Sequence, residues 1–400
     1  MRVVAPSAKL SRLAALAAAI LVSLTAYAQA PQTPATVKTE RTINLLVLGD
    51  SISWGQGLKD EHKAWFLVKK WLEQNTGREV RTQIEAHSGA IIGAIAEPGV
   101  DPRTNYALDG ELSRGQPTIN DQIDNALHLF ADPSQVDLVL VDGCINDVDL
   151  RRLLNAANTP DSIRELAQAK CGGPVEALLS RITTLFPAAH VVITGYYPII
   201  TENTANDLFM RALAKRFYSP AAGAPKLNDK ALRARLIAIS REWYQTSDQM
   251  LAVTARKIDS QLTSKGSRQR VIFADPAFQP EHSFAASKSR LWGFDASALR
   301  KLLVVLTLGK VQLRTNDERR SQRTALCKTQ FKKDENETPE QKASLEDRLM
   351  RCRLAAAGHP NRKGAAMYAD AIGKLLKPII ADTGRLKDPR AIASPANPVP

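Results

Sequence analysis

The chain has 400 residues, of which 44% are hydrophobic, 6% aromatic and 24% charged, with 21 Gly, 22 Pro and a formal net charge of +13. This composition excludes a collagen, a coiled coil, a disordered tail protein and a small disulfide-stapled scaffold; the length allows a substantial core in one large domain or in two or three smaller ones. The basic residues are scattered and form no finger, RRM or helix-turn-helix pattern, so nucleic acid is not an expected partner, whereas weak association with anionic surfaces is.

At the start, Arg2, Lys9 and Arg12 flank an apolar run from Leu13 to Thr25, and Ala26-Tyr27-Ala28 places small residues where a signal peptidase reads. Residues 1–28 are expected to be a signal peptide cleaved near Ala28, leaving a net charge of +10 on an exported protein, periplasmic or secreted. The run is short of the roughly 20 residues that span a bilayer. In such a compartment Cys144, Cys171, Cys327 and Cys352 can pair, and no C-x-x-C spacing suggests zinc. Three connectivities are open; Cys144–Cys171 and Cys327–Cys352 are preferred because each closes a local loop.

A polar, Pro-containing linker over 29–42 leads into Ile43 to Gly49, which reads as a buried strand ending at glycine. Apolar residues at Trp65, Leu67, Val68, Trp71 and Leu72 predict a helix over His62 to Asn75. Further strands are expected at Val80 to Ala86, Val136 to Val141, His190 to Thr194 and Val271 to Phe273. Pro174 to Phe186 reads as a helix, Leu232 to Leu262 as a long amphipathic one, and Tyr368 to Ile379 as the last, with Asn361 placed to cap it. Strands alternating with helices argue for an α/β fold, a parallel sheet covered on both faces. Two stretches look like additions to it. Gly89 to Ser134 is long for a connection, and Phe278 to Cys352 is apolar around Leu291 and Leu302 to Leu308 but strongly charged from Arg314 onward. The second reads as a surface helical subdomain or as a lid or acyl-binding wall. Residues 387–400 are Pro- and Ala-rich and are expected to be a disordered tail.

Ligands of a doubly wound sheet bind beyond the carboxyl ends of its strands. There the sequence places Gly49-Asp50-Ser51 after the first strand, Ser88-Gly89 after the second and Gly143-Cys144-Ile145-Asn146-Asp147 after the third, with His359-Pro360-Asn361 before the last helix. A serine activated by a histidine can attack a carbonyl. The oxyanion that forms needs fixed donors, which the Ser51 and Gly89 N–H groups and the Asn146 amide can supply. Asp50 and Asp147 read as structural partners of these turns, and Trp54 either walls the acyl pocket or packs in the core. His62, His128, His190 and His282 show no metal-ligand spacing, and Asn336-Glu337-Thr338 is a sequon match in a charged stretch.

Together these blocks resemble the SGNH (GDSL) hydrolase superfamily, whose four letters fall on Ser51, Gly89, Asn146 and His359 in chain order, framing residues 43–386 as one domain with an insertion at about 278–352. The resemblance implies a flavodoxin-like three-layer α/β/α sandwich with strand order 2-1-3-4-5. It also implies ester hydrolysis through an acyl-serine, with no metal or organic cofactor. One position departs from it: where the family carries an Asp three residues before the histidine, this chain has Ala356. A backbone carbonyl near Ala356 could orient His359, or a carboxylate such as Asp275 could, or nothing stabilises the imidazolium. The expectation is an exported esterase or lipase acting on a lipid, lysophospholipid or short acyl ester. An O-acyltransferase on a polysaccharide and a non-catalytic binding protein of the same fold are the alternatives, and the oligomeric state is not legible.

Overall fold

A computed structural model describes residues 42–94, 109–112, 117–223, 226–295, 313–331 and 338–381. The expected signal peptide, most of the linker, Leu302 to Leu308, Asn336 and the 387–400 tail lie outside the described residues.

Five strands form one sheet: β1 Ile43–Val47, β2 Val80–Ile84, β3 Leu138–Val141, β4 His190–Thr194 and β5 Val271–Ala274. Their order is β2-β1-β3-β4-β5 and every pairing is parallel, with Val47 opposite Ile84 and Leu140, and Ile193 opposite Val141 and Phe273. Strand β3 starts two residues later than the apolar run suggests. Asp137 turns its carboxylate to the Asn44 N–H at 2.9 Å just before the strand begins.

The helices are α1 Ser51–Trp54, α2 Ala64–Thr76, α3 Ile119–Leu129, α4 Ile145–Val148, α5 Leu150–Leu153, α6 Pro160–Cys171, α7 Gly173–Leu185, α8 Leu208–Phe217, α9 Asp229–Ser264, α10 Arg320–Gln330, α11 Pro339–Leu354 and α12 Arg362–Ala381. Strand side chains alternate between two faces, so neighbours in sequence belong to different layers. Leu46, Val139, Val141, Val191 and Ile193 pack against α3, α6, α7 and α9 through residues such as Ile123, Ile163, Leu179 and Trp243. The alternate set, Ile43, Leu45, Val47, Leu138, Leu140 and Val192, packs on α2 and α12 through Val68, Leu72, Ile372 and Leu376. The result is the three-layer α/β/α sandwich.

Local signals fix the helix ends. Thr118 and Asp121 form a capping box at α3, Asn228 caps α9 through the Ala231 N–H, and the Asn361 carboxamide accepts from Lys363 and Gly364 at α12. Helix α3 falls in the Gly89 to Ser134 stretch, which reads as a connection rich in turn residues, and α6 is a further helix that the sequence reading does not include. Both disulfides join the expected pairs, Cys144–Cys171 and Cys327–Cys352. Among the described residues no helix is long and apolar enough to cross a membrane.

Trp243 is fully buried, with its ring 5.2 Å from that of Tyr196. Trp243→Ala is expected to lower stability by about 3–5 kcal/mol through the cavity it leaves. Urea denaturation checks this; a loss under about 1 kcal/mol would mean that the α9 face is loosely packed.

Candidate active site

The turn after β1 is built around an absent side chain. Gly49 has φ +121°, and a Cβ there would lie 1.9 Å from Asp142 Oδ1. Into that space comes the Asp142 carboxylate, which accepts from the Asp50 N–H at 2.7 Å and from the Ser53 N–H at 2.9 Å. Gln122, on α3, grips the same turn: its carboxamide accepts from the Gly49 N–H at 2.8 Å and donates to the Gly49 carbonyl at 2.9 Å. Asp50 caps α1 through the Ile52 N–H, so Ser51 is the first helical residue. Burial and the facing Asp142 charge push the Asp50 carboxyl well above the usual range, and burial pushes Asp142 up to about 6. Of the two facing carboxyl groups, Asp50 is the one pushed more strongly toward its protonated form, and Asp142 receives the two N–H groups.

The remaining pieces converge on this turn. His359 Nε2 lies 2.7 Å from Ser51 Oγ although the two residues are 308 apart in sequence. The His359 N–H donates to the Ala356 carbonyl, the Trp292 N–H donates to the His359 carbonyl at 2.7 Å, and the Tyr197 hydroxyl donates to the Gly358 carbonyl at 2.8 Å. On the other side Asn146, in α4, donates through its side chain to the Ala90 carbonyl, next to Gly89. Asp147 accepts from the Ile92 N–H and so ties the Gly89 loop to α4. Tyr196 accepts from the Ile145 N–H at 3.1 Å and makes a longer 3.5 Å contact with the Asp50 carboxyl, spanning both turns.

The histidine stands without a carboxylate. His359 Nδ1 is buried with no hydrogen-bond partner among the described residues; the Ala356 and Ala357 carbonyls favour the charged ring without receiving a well-formed hydrogen bond from it. Asp275 is exposed and bonds the Ala277 N–H, so the structure does not bring that candidate to His359. Burial, reinforced by the Arg323 charge, pushes the His359 imidazole down to about 4. At neutral pH the ring is uncharged, with Nε2 able to accept the serine proton.

Several residues that shape this geometry escaped the sequence reading. Tyr196 and Tyr197 follow β4, at the same carboxyl edge that singled out Ser51, and that rule alone could have flagged them. Gln122 and Glu111 carry no such signal, since each acts across a long connection. Glu111 is fully buried; its carboxylate accepts from the Gly57 N–H at 3.1 Å and from Trp54 Nε1 at 3.1 Å. Trp54 is thereby turned toward Glu111, with Lys63 Nζ 3.5 Å from its ring centroid. The surface-subdomain reading of 278–352 needs correction at one point: its charged stretch contains Arg323, which is fully buried against Glu111 and Asp317. His62 bonds Glu318 at 3.0 Å, and among the described residues no cluster could hold a metal ion.

No family model and no curated protein matches the chain. Among solved structures it is similar to the extracellular lipase of Streptomyces rimosus, at 16% identity over 67% of this chain and 100% of that one, with a TM-score of 0.37. It is also similar to phospholipase A1 of Streptomyces albidoflavus NA297 (13%, 67% and 100%, TM-score 0.36). A third is Est24, a carbohydrate acetylesterase of Sinorhizobium meliloti (14%, 67% and 96%, TM-score 0.31). At these identities and TM-scores the likeness assigns neither a substrate nor a residue role. The chain resembles the SGNH hydrolases in its own motif blocks and in the order of its sheet.

Cys144, just before α4, has a positive φ of 103°, a costly conformation for a residue with a side chain, and its disulfide anchors it to α6. Replacing Cys144 and Cys171 together by serine is expected to lower Ser51 reactivity toward a fluorophosphonate several-fold under conditions where circular dichroism still shows the native fold. Unchanged labelling in the folded variant would show that the bond does not brace Asn146.

Proposed function

We propose that the chain is a carboxylic ester hydrolase working through an acyl-serine. The 2.7 Å contact between Ser51 Oγ and a neutral His359 Nε2 carries this reading. Ser51 Oγ attacks the ester carbonyl carbon while His359 Nε2 takes its proton, and the carbonyl oxygen becomes an oxyanion. The Ser51 and Gly89 N–H groups and the free hydrogen of the Asn146 amide are the proposed donors to it. The tetrahedral intermediate collapses as the bond to the alcohol oxygen breaks and His359 returns the proton to that oxygen. Water then attacks the acyl-serine, giving one proton to His359; the carboxylic acid leaves and Ser51 recovers its proton.

In this scheme the imidazolium is favoured by the Ala356 and Ala357 carbonyls and more weakly by Asp317, with no carboxylate bonded to the ring among the described residues. The two disulfides support export as the setting in which the protein works. Its substrate is proposed to be a lipid, lysophospholipid or short acyl ester.

Hydrolysis of p-nitrophenyl esters from acetate to long-chain acyl groups is expected for the mature protein, with Ser51→Ala lowering turnover by at least about 10³-fold. Turnover that survives in Ser51→Ala would remove the acyl-serine mechanism. Acyl transfer to an added sugar in excess of free acid would replace hydrolysis by transfer.

The depressed imidazole also sets a pH signature. Only the neutral ring can act as base, so kcat/KM is expected to rise with pH through about 4 and to be level near neutrality. An acid limb near the ordinary imidazole value of about 6.5 would show the ring to be solvated.

A further inference from the structure

Behind the Ser51–His359 pair lies a buried charge cluster drawn from three separate parts of the chain. Arg323, on α10, is fully buried and donates to Glu111 Oε1 at 2.7 Å, to Asp317 Oδ1 at 2.9 Å and Oδ2 at 2.5 Å, and to Thr315 Oγ1 at 2.9 Å. Its Nε reaches the Arg353 carbonyl at 3.3 Å. Each contact leads toward the site. Arg353 stands next to disulfide-bonded Cys352 and begins the segment that turns through Ala356 to His359. Glu111 holds the Gly57 N–H, and the Gly57 carbonyl accepts from the Glu318 and Arg319 N–H groups, which fixes the loop following α1.

These two paths meet at Gly57. A Cβ built there would lie 2.8 Å from the Ala356 Cβ and 3.0 Å from the Asp317 Cβ. Asp317 is thus beside the position three residues before His359, yet both its oxygens are committed to Arg323. The charge directed at the imidazole from this side is a guanidinium held between two carboxylates.

We propose that Arg323 is a positioning residue for His359: it joins the loop behind Ser51 to the chain entering the His359 turn and sets a fixed positive charge against imidazolium formation. The proposal rests on the Ser51–His359 reading above. It explains why so costly a group is buried, since a stapled helix pair could be closed with apolar residues at less cost. Of the charged groups around the ring, Arg323 disfavours its protonation and Asp317 favours it more weakly. Arg362, three residues on, is paired with Glu318, which also binds His62, and the Asp50–Asp142 pair lies behind Ser51.

Two full-length variants test this, read by the pH profile of kcat/KM, by kcat and KM separately, and by the fluorophosphonate labelling rate of Ser51. Arg323→Lys keeps the charge and loses the fork; kcat is expected to fall about tenfold with KM within about threefold, the acid limb staying in place. The neutral set Glu111→Gln, Asp317→Asn and Arg323→Met removes every charge of the trio together; its acid limb is expected to move up by about one unit or more, with a similar loss in kcat. A folded neutral variant with an unmoved limb and kcat within about twofold would overturn the proposal and leave the cluster a structural joint. If that variant does not fold, Arg323→Lys decides alone, and wild-type kcat there overturns it. A wild-type protein that neither hydrolyses esters nor is labelled at Ser51 would instead overturn the ester-hydrolase reading, and this proposal with it.

Discussion

The Asp142 carboxylate occupies the volume that a side chain at position 49 would fill, and the rest of the site is arranged around that intrusion. With glycine at 49, an anion from the end of β3 can reach under the turn that ends β1 and collect the Asp50 and Ser53 N–H groups. This settles the register of α1 on the sheet and hence the direction of the Ser51 hydroxyl. A buried anion with hydrogen bonds on both oxygens is tolerable, whereas a second facing anion is disfavoured, and burial together with the Asp142 charge pushes Asp50 toward its protonated form. Gln122 then locks the peptide of Gly49 itself, so the Ser51 turn is clamped from α3 as well as from β3.

The sheet supplies the frame in which these clamps agree. Strand order reverses between β1 and β3, and Ser51 and Asn146 stand on either side of that reversal. β4 contributes no reacting group, yet its two tyrosines reach in opposite directions, Tyr196 to the α4 and Asp50 side and Tyr197 to the His359 turn. Their hydroxyls tie β4 to both the Asn146 turn and the His359 turn. Rigid placement of this kind, more than any single contact, is what the proposed proton transfer across 2.7 Å would demand.

What the sequence revealed and what it concealed follow one physical division. Strands β1 to β5 were readable because a buried parallel strand is a short apolar run bounded by turn residues, and the residues just past those runs included Ser51, Gly89 and Asn146, three of the four members of the resemblance. The disulfides were readable because each closes a short loop. Concealed were interactions between polar residues far apart in the chain. Gln122 meets Gly49 across 73 residues and Arg323 meets Glu111 across 212, and no periodicity marks either pair. Charged residues from Arg314 onward read as a solvated surface because a burial-stabilised ion cluster has the composition of an exposed one. The missing carboxylate at Ala356 was visible, but what faces the histidine instead was not.

The distance along the chain between Ser51 and His359 has a consequence for how the molecule comes into being. The main clamps of the Ser51 turn come from β1, α3 and the end of β3, all of which lie within the first 142 positions. His359 enters its place only when α12 packs on α2, through Ile372 and Leu376 against Leu72. A chain in which α12 has not packed therefore has the serine turn without the His359 contact. On the proposed reading, Ser51 gains its base only with this last packing step, so completion of the fold and completion of the site coincide.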